Sequence, residues 1–289
     1  MIADQHLRAR YDQLLELLCG LNSAVVAFSA GVDSTLLLHA TRDAIGADRV
    51  VAATGLSDTY PEEEMQDARE LANELGVEHV MARTEELTDP RYAMNSHQRC
   101  FFCKHELYSH LEAIRTERGF DVIIDGTNAD DLGDHRPGMR AARQLGVRSP
   151  LAEIELTKDE IRAISNELGL RTWDKPAFAC LSSRFPYGTP ITVEKLKQVD
   201  EAERVLRQLG FRGFRVRHHE ETARIEVAPV DFPRVIELHE EIVTGIKAAG
   251  YRYITLDLQG YRSGSLNDGL TFRLREVNQR PGNTATVAE

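Results

Sequence analysis

A doubly wound α/β domain followed by a smaller α+β domain is the fold the sequence predicts, and three observations carry it. Short apolar runs alternate with helix-period segments through the first half; a proline-rich stretch then breaks the rhythm; and the order of elements changes beyond it. Four runs, 23–29 (SAVVAFS), 50–54 (VVAAT), 77–82 (VEHVMA) and 120–125 (FDVIID), read as strands buried on both faces. Helical segments at 33–45, 61–75 and 104–118 lie between them, so right-handed crossovers build a parallel sheet. Pro61 opens one helix with Glu62, Glu63 and Glu64 in its first turn, where the helix dipole favours acids. Thr157 with Glu160 three residues on forms a capping box for a helix over 157–168.

The stretch 175–192 contains Pro176, Pro186, Gly188 and Pro190 and reads as a loop. Beyond it the sequence predicts helix 193–209, strands 214–219 and 222–228, helix 233–249 and strand 252–258. The expected domains are therefore 1–185, the doubly wound sheet, and 186–289, the α+β domain. A chain of 289 residues suffices for both. The segment after Arg275 reads as a loose tail.

With 42% apolar and 28% charged residues the composition is that of a globular protein, and no run approaches the ~20 apolar residues of a membrane span. Residues 1–18 carry Asp4, Asp12 and Glu16 and read as an amphipathic helix rather than a signal peptide, so the expected compartment is the cytosol. A net charge of −11 argues against a large nucleic acid as substrate.

The segment Ser29-Ala30-Gly31-Val32-Asp33-Ser34-Thr35 ends the first strand and opens a helix. Small residues there let backbone N–H groups approach an anion, the helix N-terminus adds its dipole, and three hydroxyls can donate to phosphate oxygens. Asp33 suits such a site when Mg2+ bridges it to the phosphates. The loop lacks the Gly-Lys-Ser/Thr ending of a Walker A motif, which disfavours γ-phosphate cleavage. Asp58, Asn128, Asp130 and Asp131 fall just past strands, where ligands of open α/β sheets bind; turn-forming or capping work is the plainer role for each.

Four cysteines are present, a sparse set more in keeping with metal binding or catalysis than with disulfides. Cys19, beside Leu17 and Leu18, is expected in the core. Cys100 and Cys103 form a CxxC pair just before a helix, with Arg99, Lys104 and His105 nearby; cations and a helix N-terminus favour thiolate. Cys180 lies in the junction loop, four residues before Arg184. From spacing alone, an iron–sulfur cluster on three thiolates, a zinc site completed by His97 or His105, a redox pair and inert buried thiols all stay open.

The phosphate loop resembles the Ser-Gly-Gly-X-Asp-Ser motif of the N-type ATP pyrophosphatases, with Ala30 at the first glycine. Three further segments, 125–134 (DGTNADDLGD), 180–188 (CLSSRFPYG) and 256–267 (LDLQGYRSGSLN), are similar to the LarE family, ATP-dependent sulfur transferases of nickel-pincer nucleotide biosynthesis. With the loop they span nearly the whole chain, and the last two are more specific than the loop. The resemblance implies an adenine nucleotide alpha hydrolase-like PP-loop fold. It also implies adenylation of a carboxylate on a pyridinium mononucleotide, with release of pyrophosphate, and conversion to a thiocarboxylate. Cys180 matches the family's sulfur-handling cysteine, with Asp33 and Arg184 as its catalytic companions.

One branch of the family sacrifices that cysteine's sulfur. Another has two further cysteines and a [4Fe-4S] cluster as sulfide carrier, and Cys100 and Cys103 align this chain with the second. The resemblance further implies ATP and Mg2+ on Ser29, Gly31, Asp33, Ser34 and Thr35, a sulfide or sulfur donor, and a homo-oligomer. Arg184, Arg215, Arg217 and Arg262 are the expected cations for the substrate's phosphate; alternation puts Arg215 and Arg217 on one strand face. Trp173 and Tyr187 flank the junction, where a core role is expected over ring stacking. A tRNA-thiolating enzyme, an amide-forming ligase and a non-catalytic ATP sensor are the rival readings of the same loop.

Overall fold

The computed structural model describes residues 2–57, 59–133, 137–176, 180–262 and 266. Two compact units divide the chain: Met1–Ser182 with Tyr187–Leu196, and Ser183–Pro186 with the chain from Lys197 on.

In the first unit, α1 (Gln5–Cys19) is capped by Asp4, whose carboxylate accepts from the N–H groups of His6 and Leu7. β1 (Ala24–Ala27), α2 (Val32–Ile45), β2 (Val50–Leu56), α3 (Glu62–Glu74) and β3 (Glu78–Arg83) follow in strict alternation. Next come α4 (Pro90–Ala93), α5 (Arg99–Arg118), β4 (Val122–Asp125), α6 (Pro137–Gln144), α7 (Pro150–Glu153) and α8 (Lys158–Glu167). The four strands are all parallel, in the order β3-β2-β1-β4. The period-2 pattern decides the layers. Ala24, Val26, Val50, Ala52 and Ile124 face a core shared with α1, α2, α3 and α8. Val25, Val51, Ala53 and Ile123 face a second core with Tyr108 and Leu111 of α5. β3 departs from expectation: as an edge strand it is only partly covered.

That order reverses at β1. The chain steps outward through β2 and β3 and returns to pair β4 on the other side, so the loops after β1 and β4 flank a topological switch point. The predicted capping box is present: Thr157 Oγ1 accepts from Glu160 N, and Glu160 Oε2 accepts from Thr157 N at 2.9 Å.

Three local readings are corrected. α5 begins at Arg99, so Cys100 and Cys103 lie inside its first two turns, three residues apart on one helix face, rather than ahead of it. Cys19 ends α1 exposed, its thiol donating to Ala44 O at 3.6 Å, because the amphipathic face of that helix is already filled by Leu14 and Leu18. Trp173 is 43% exposed and is no core residue.

In the second unit, α9 (Val193–Gln208) runs across the division between units. β5 (Arg215–His219) and β6 (Thr222–Glu226) form an antiparallel hairpin. α10 (Phe232–Glu237) and α11 (His239–Ala248) replace the single predicted helix, broken at Leu238, and β7 (Tyr253–Leu256) joins β6 in parallel. Phe211, Val216, Ile225, Val227, Ile242 and Ile246 fill this unit's own core. Among the described residues no helix is long and apolar enough to cross a membrane.

Candidate active site

The loop after β1 turns through Ala30 at φ 54°, the left-handed region. Gly31 then stands at the extended N-cap position of α2, and Thr35 N donates to Gly31 O at 3.0 Å. Ser34 Oγ lies 3.1 Å from Ser29 Oγ and accepts from Ser29 N at 3.3 Å, closing the loop on itself. Thr35 Oγ1 is buried with no hydrogen-bond partner. Asp33 receives Asn128 Nδ2 at 3.1 Å on one oxygen and the Lys158 ammonium on the other. An acid in the first turn of α2 is thus joined to the loop after β4 and to the first residue of α8, a partner the local sequence pattern does not announce.

The loop after β4 is pressed against α2. Asp125 is buried and receives Tyr108 Oη and Ser149 Oγ, both at 2.7 Å, which fixes the turn that follows. At Gly126 an added Cβ would stand 2.9 Å from Ser34 N and 3.2 Å from the Asp33 carbonyl carbon, both backbone atoms that cannot yield. Gly126→Ala is therefore expected to destabilise the protein by about 1–3 kcal/mol, as read by thermal denaturation. Asn128 Oδ1 accepts from the N–H groups of Asp130 and Asp131, an Asx turn, and Asp130 Oδ2 caps α8 by accepting from Lys158 N at 2.7 Å. Asp58 lies outside the described residues, as do Asp134, Ser263–Ser265, Asn267 and the tail.

A second cluster in the same unit surrounds Tyr60. Burial pushes its phenol well above its ordinary value, and Cys180, Cys103, Glu86 and Cys100 add to the shift. Tyr92 and Tyr187 also feel Cys180, and Tyr92 Oη lies 2.6 Å from Ser182 Oγ. The three distant thiols thus share one neighbourhood. Their expected activation does not follow: burial pushes Cys103 well up, helped by the Glu86 carboxylate and Cys180, and outweighs Lys104. Cys100 is likewise raised by burial and by Cys180, against Arg99 and Lys104; it keeps an open side to solvent while protein crowds the others. Buried in α5, Arg99 lies 5.2 Å under the Tyr187 ring, and its Nε has no hydrogen-bond partner. His97 and His105 are exposed, and among the described residues no three His, Cys, Asp or Glu side chains stand in metal-holding geometry.

The second unit buries Arg184, Arg215 and Arg217 with Glu203 and Glu226. Arg184 is gripped bidentately by Glu203 at 2.8 and 2.9 Å, and Arg217 by Glu226 at 2.9 and 2.8 Å. Arg217 Nη1 also donates to Ser183 O at 2.8 Å. Arg215 stacks on Tyr261 at 5.0 Å; burial lowers its pKa, as do the charges of Arg184 and Arg217. Alternation holds for Arg215 and Arg217, yet their face is covered rather than solvated. Arg224 Nη2 also donates to Glu226 Oε1 at 3.0 Å, so this carboxylate serves two guanidinium groups. Arg262 is exposed and donates to Gln259 Oε1 at 2.7 Å.

The parallel sheet, its switch point and the phosphate loop at the mouth of β1 define an ATP-using enzyme of the PP-loop pyrophosphatase class. Residues 12–103 match the family described as NAD synthase. Over 92% of its length the chain is 44% identical to an uncharacterised Synechocystis sp. protein, slr1717, covering 99% of it. It is 39% identical, over 89% of its length and 94% of the relative's, to the pyridinium-3,5-bisthiocarboxylic acid mononucleotide synthase of Lactiplantibacillus plantarum. An uncharacterised Methanocaldococcus jannaschii protein, MJ0830, is 34% identical over 58% of this chain and 66% of its own. The chain belongs to the LarE family, that of the Lactiplantibacillus plantarum synthase.

Proposed function

We propose that the protein is an ATP-dependent sulfur transferase of nickel-pincer cofactor synthesis. It adenylates a carboxylate of a pyridinium dicarboxylate mononucleotide and converts it to a thiocarboxylate. The observation that carries this reading is the phosphate loop at the switch point of the parallel sheet, in a chain 39% identical over 89% of its length to a pyridinium-3,5-bisthiocarboxylic acid mononucleotide synthase. A carboxylate is a poor electrophile because its leaving group would be oxide; adenylation replaces oxide with AMP. Ser29, Gly31, Ser34 and Thr35 would hold the phosphates, and Asp33, oriented by Asn128 and paired with Lys158, would hold Mg2+, which supplies charge neutralisation at the phosphates. Arg215, Arg217 and Arg262 attract the substrate's phosphate, while Arg184 positions Glu203.

The thiols suit a cation in donor chemistry. Burial drives the Cys100 and Cys103 thiols towards the neutral form, at Cys103 with the help of the Glu86 carboxylate; a bound metal would supply the missing positive charge. Cys100, Cys103 and Cys180 would hold a [4Fe-4S] cluster, which when bound supplies sulfide for the acyl carbon. Cys180 as sacrificial donor is the second reading, favoured because among the described residues no three side chains stand in metal-holding geometry.

Anaerobically purified protein is expected to exchange pyrophosphate into ATP when given the pyridinium dicarboxylate mononucleotide, and to yield a thiocarboxylate detected by mass. Asp33→Asn should slow the exchange about 100-fold or more through loss of the metal's charge stabilisation. Exchange driven by tRNA or by ammonia, with none from the mononucleotide, would overturn the reading. The domain limits 1–185 and 186–289, a cytosolic setting and a homo-oligomeric state belong to the same proposal.

A further inference from the structure

The first unit buries a guanidinium that no carboxylate balances. Arg99 is 3% exposed; its Nη1 donates to Asn95 Oδ1, a neutral acceptor, and its Nε has no hydrogen-bond partner. Among the described residues no acid pairs with it. Arg184 and Arg217, buried in the second unit, are by contrast each gripped by two carboxylate oxygens. Taking a charge out of water is costly unless a counter-charge meets it, and native folds rarely keep a buried donor without a use for it.

The surroundings hold this cation in a set orientation. Asn95 takes one edge of it, and the Tyr187 ring lies 5.2 Å away across its face. Those two partners come from segments joined by backbone bonds: Gly188 N donates to Asn95 O at 3.0 Å, and Ile191 N to Ala93 O at 2.9 Å. Arg99 therefore stands where the junction loop, which carries Cys180, meets the start of α5, which carries Cys100. Cys100, the next residue along, is exposed, so solvent reaches this turn. A planar fork of donors fixed in this way matches a planar anion, a carboxylate, better than a point charge would.

We propose that Arg99 is a carboxylate subsite: it takes the carboxylate of the pyridinium dicarboxylate substrate that is not being converted, while the other carboxyl group of the ring reacts near Cys180. The inference rests on the sulfur-transfer reading given above and deepens it, naming the group that tells a dicarboxylate from a monocarboxylate. The ligand supplies the negative charge that Arg99 lacks in the free protein, and burial strengthens the attraction between them. Asn95 is then a positioning residue, acting on the substrate through the guanidinium edge it holds.

Calorimetric titration of the full chain tests this, in the presence of an ATP analogue that resists cleavage between its α- and β-phosphates. The probes are the pyridinium dicarboxylate mononucleotide and the pyridinium monocarboxylate mononucleotide. Wild-type protein is expected to bind the dicarboxylate about 10-fold or more tightly than the monocarboxylate, the effect of charge-assisted hydrogen bonds to the second carboxylate; that comparison needs no variant. Arg99→Met, apolar and unbranched, should bind the two alike, with circular dichroism checking its fold. Arg99→Lys, which keeps the charge without the fork, should retain part of the preference. Equal binding of both mononucleotides by the wild type, or an undiminished preference in Arg99→Met, would overturn the inference and leave the sulfur-transfer reading standing. Wild-type protein that binds the ATP analogue but neither mononucleotide would overturn both.

Discussion

Replacing Cys180 with alanine is expected to abolish thiocarboxylate formation outright while the pyrophosphate exchange half-reaction continues. Cys180 takes no part in the loop from Ser29 to Thr35, whose hydroxyls, Gly31 N-cap and Asp33 are organised by Asn128, Lys158 and Gly126. It belongs to the cluster around Tyr60, with Cys100 and Cys103. Removing its sulfur should therefore uncouple the two halves of the reaction, and an adenylated substrate should accumulate and be seen by mass spectrometry. The companion variants separate the sulfur sources. With a cluster, Cys100→Ala and Cys103→Ala should also lose repeated turnover. With a sacrificial cysteine, they should keep a single turnover, after which the protein's mass falls by one hydrogen sulfide. A Cys180→Ala protein that still makes thiocarboxylate would remove this residue from sulfur chemistry.

Glu203→Ala is expected to destabilise the second unit by about 3–5 kcal/mol, because it strands a buried guanidinium. Arg184 and Glu203 are both almost fully buried and bidentately joined, and Glu203 Oε1 also accepts from Val216 N at 3.0 Å, tying α9 to β5. The effect should appear as a lowered urea midpoint in far-ultraviolet circular dichroism. Trp173 lies in the first unit, so tryptophan fluorescence would not follow this unit. Acid provides an independent check. Burial alone would raise the Glu203 carboxyl, but the charge and hydrogen bonds of Arg184 outweigh it and hold the group below its ordinary value. The pair's contribution is thus complete above the unfolded glutamate value, ~4.3, and is lost as pH falls through the lower folded value. Below ~4 the wild type should lose stability faster than Glu203→Gln, which has no such carboxyl to protonate.

Features whose cause lies within a few residues were legible in the sequence. The capping box at Thr157, the small-residue loop at Ser29 and the apolar strand runs each declare themselves locally. Glu86, Glu203 and Lys158 did not, because each acquires its role from partners far along the chain: Thr59 and Ser57 for the first, Arg184 for the second, Asp33 for the third. A lone acid in a short turn has no periodicity to betray it. The start of α5 was misplaced for a related reason: no side chain caps it at Gln98, so the usual signal of a helix N-terminus is absent. Charge arguments at Cys100 and Cys103 pointed towards thiolate, since the neighbouring cations are visible in sequence and burial is not. The alternation that paired Arg215 with Arg217 was readable; that their face is covered was not.

Alanine at position 30 has a consequence of its own. A residue with a Cβ held at positive φ stays there only where its surroundings over-determine it, and here a fully buried methyl group and the strand-to-helix turn leave it little choice. The loop is therefore rigid before any ligand arrives, and little of a ligand's binding energy would be lost to ordering it.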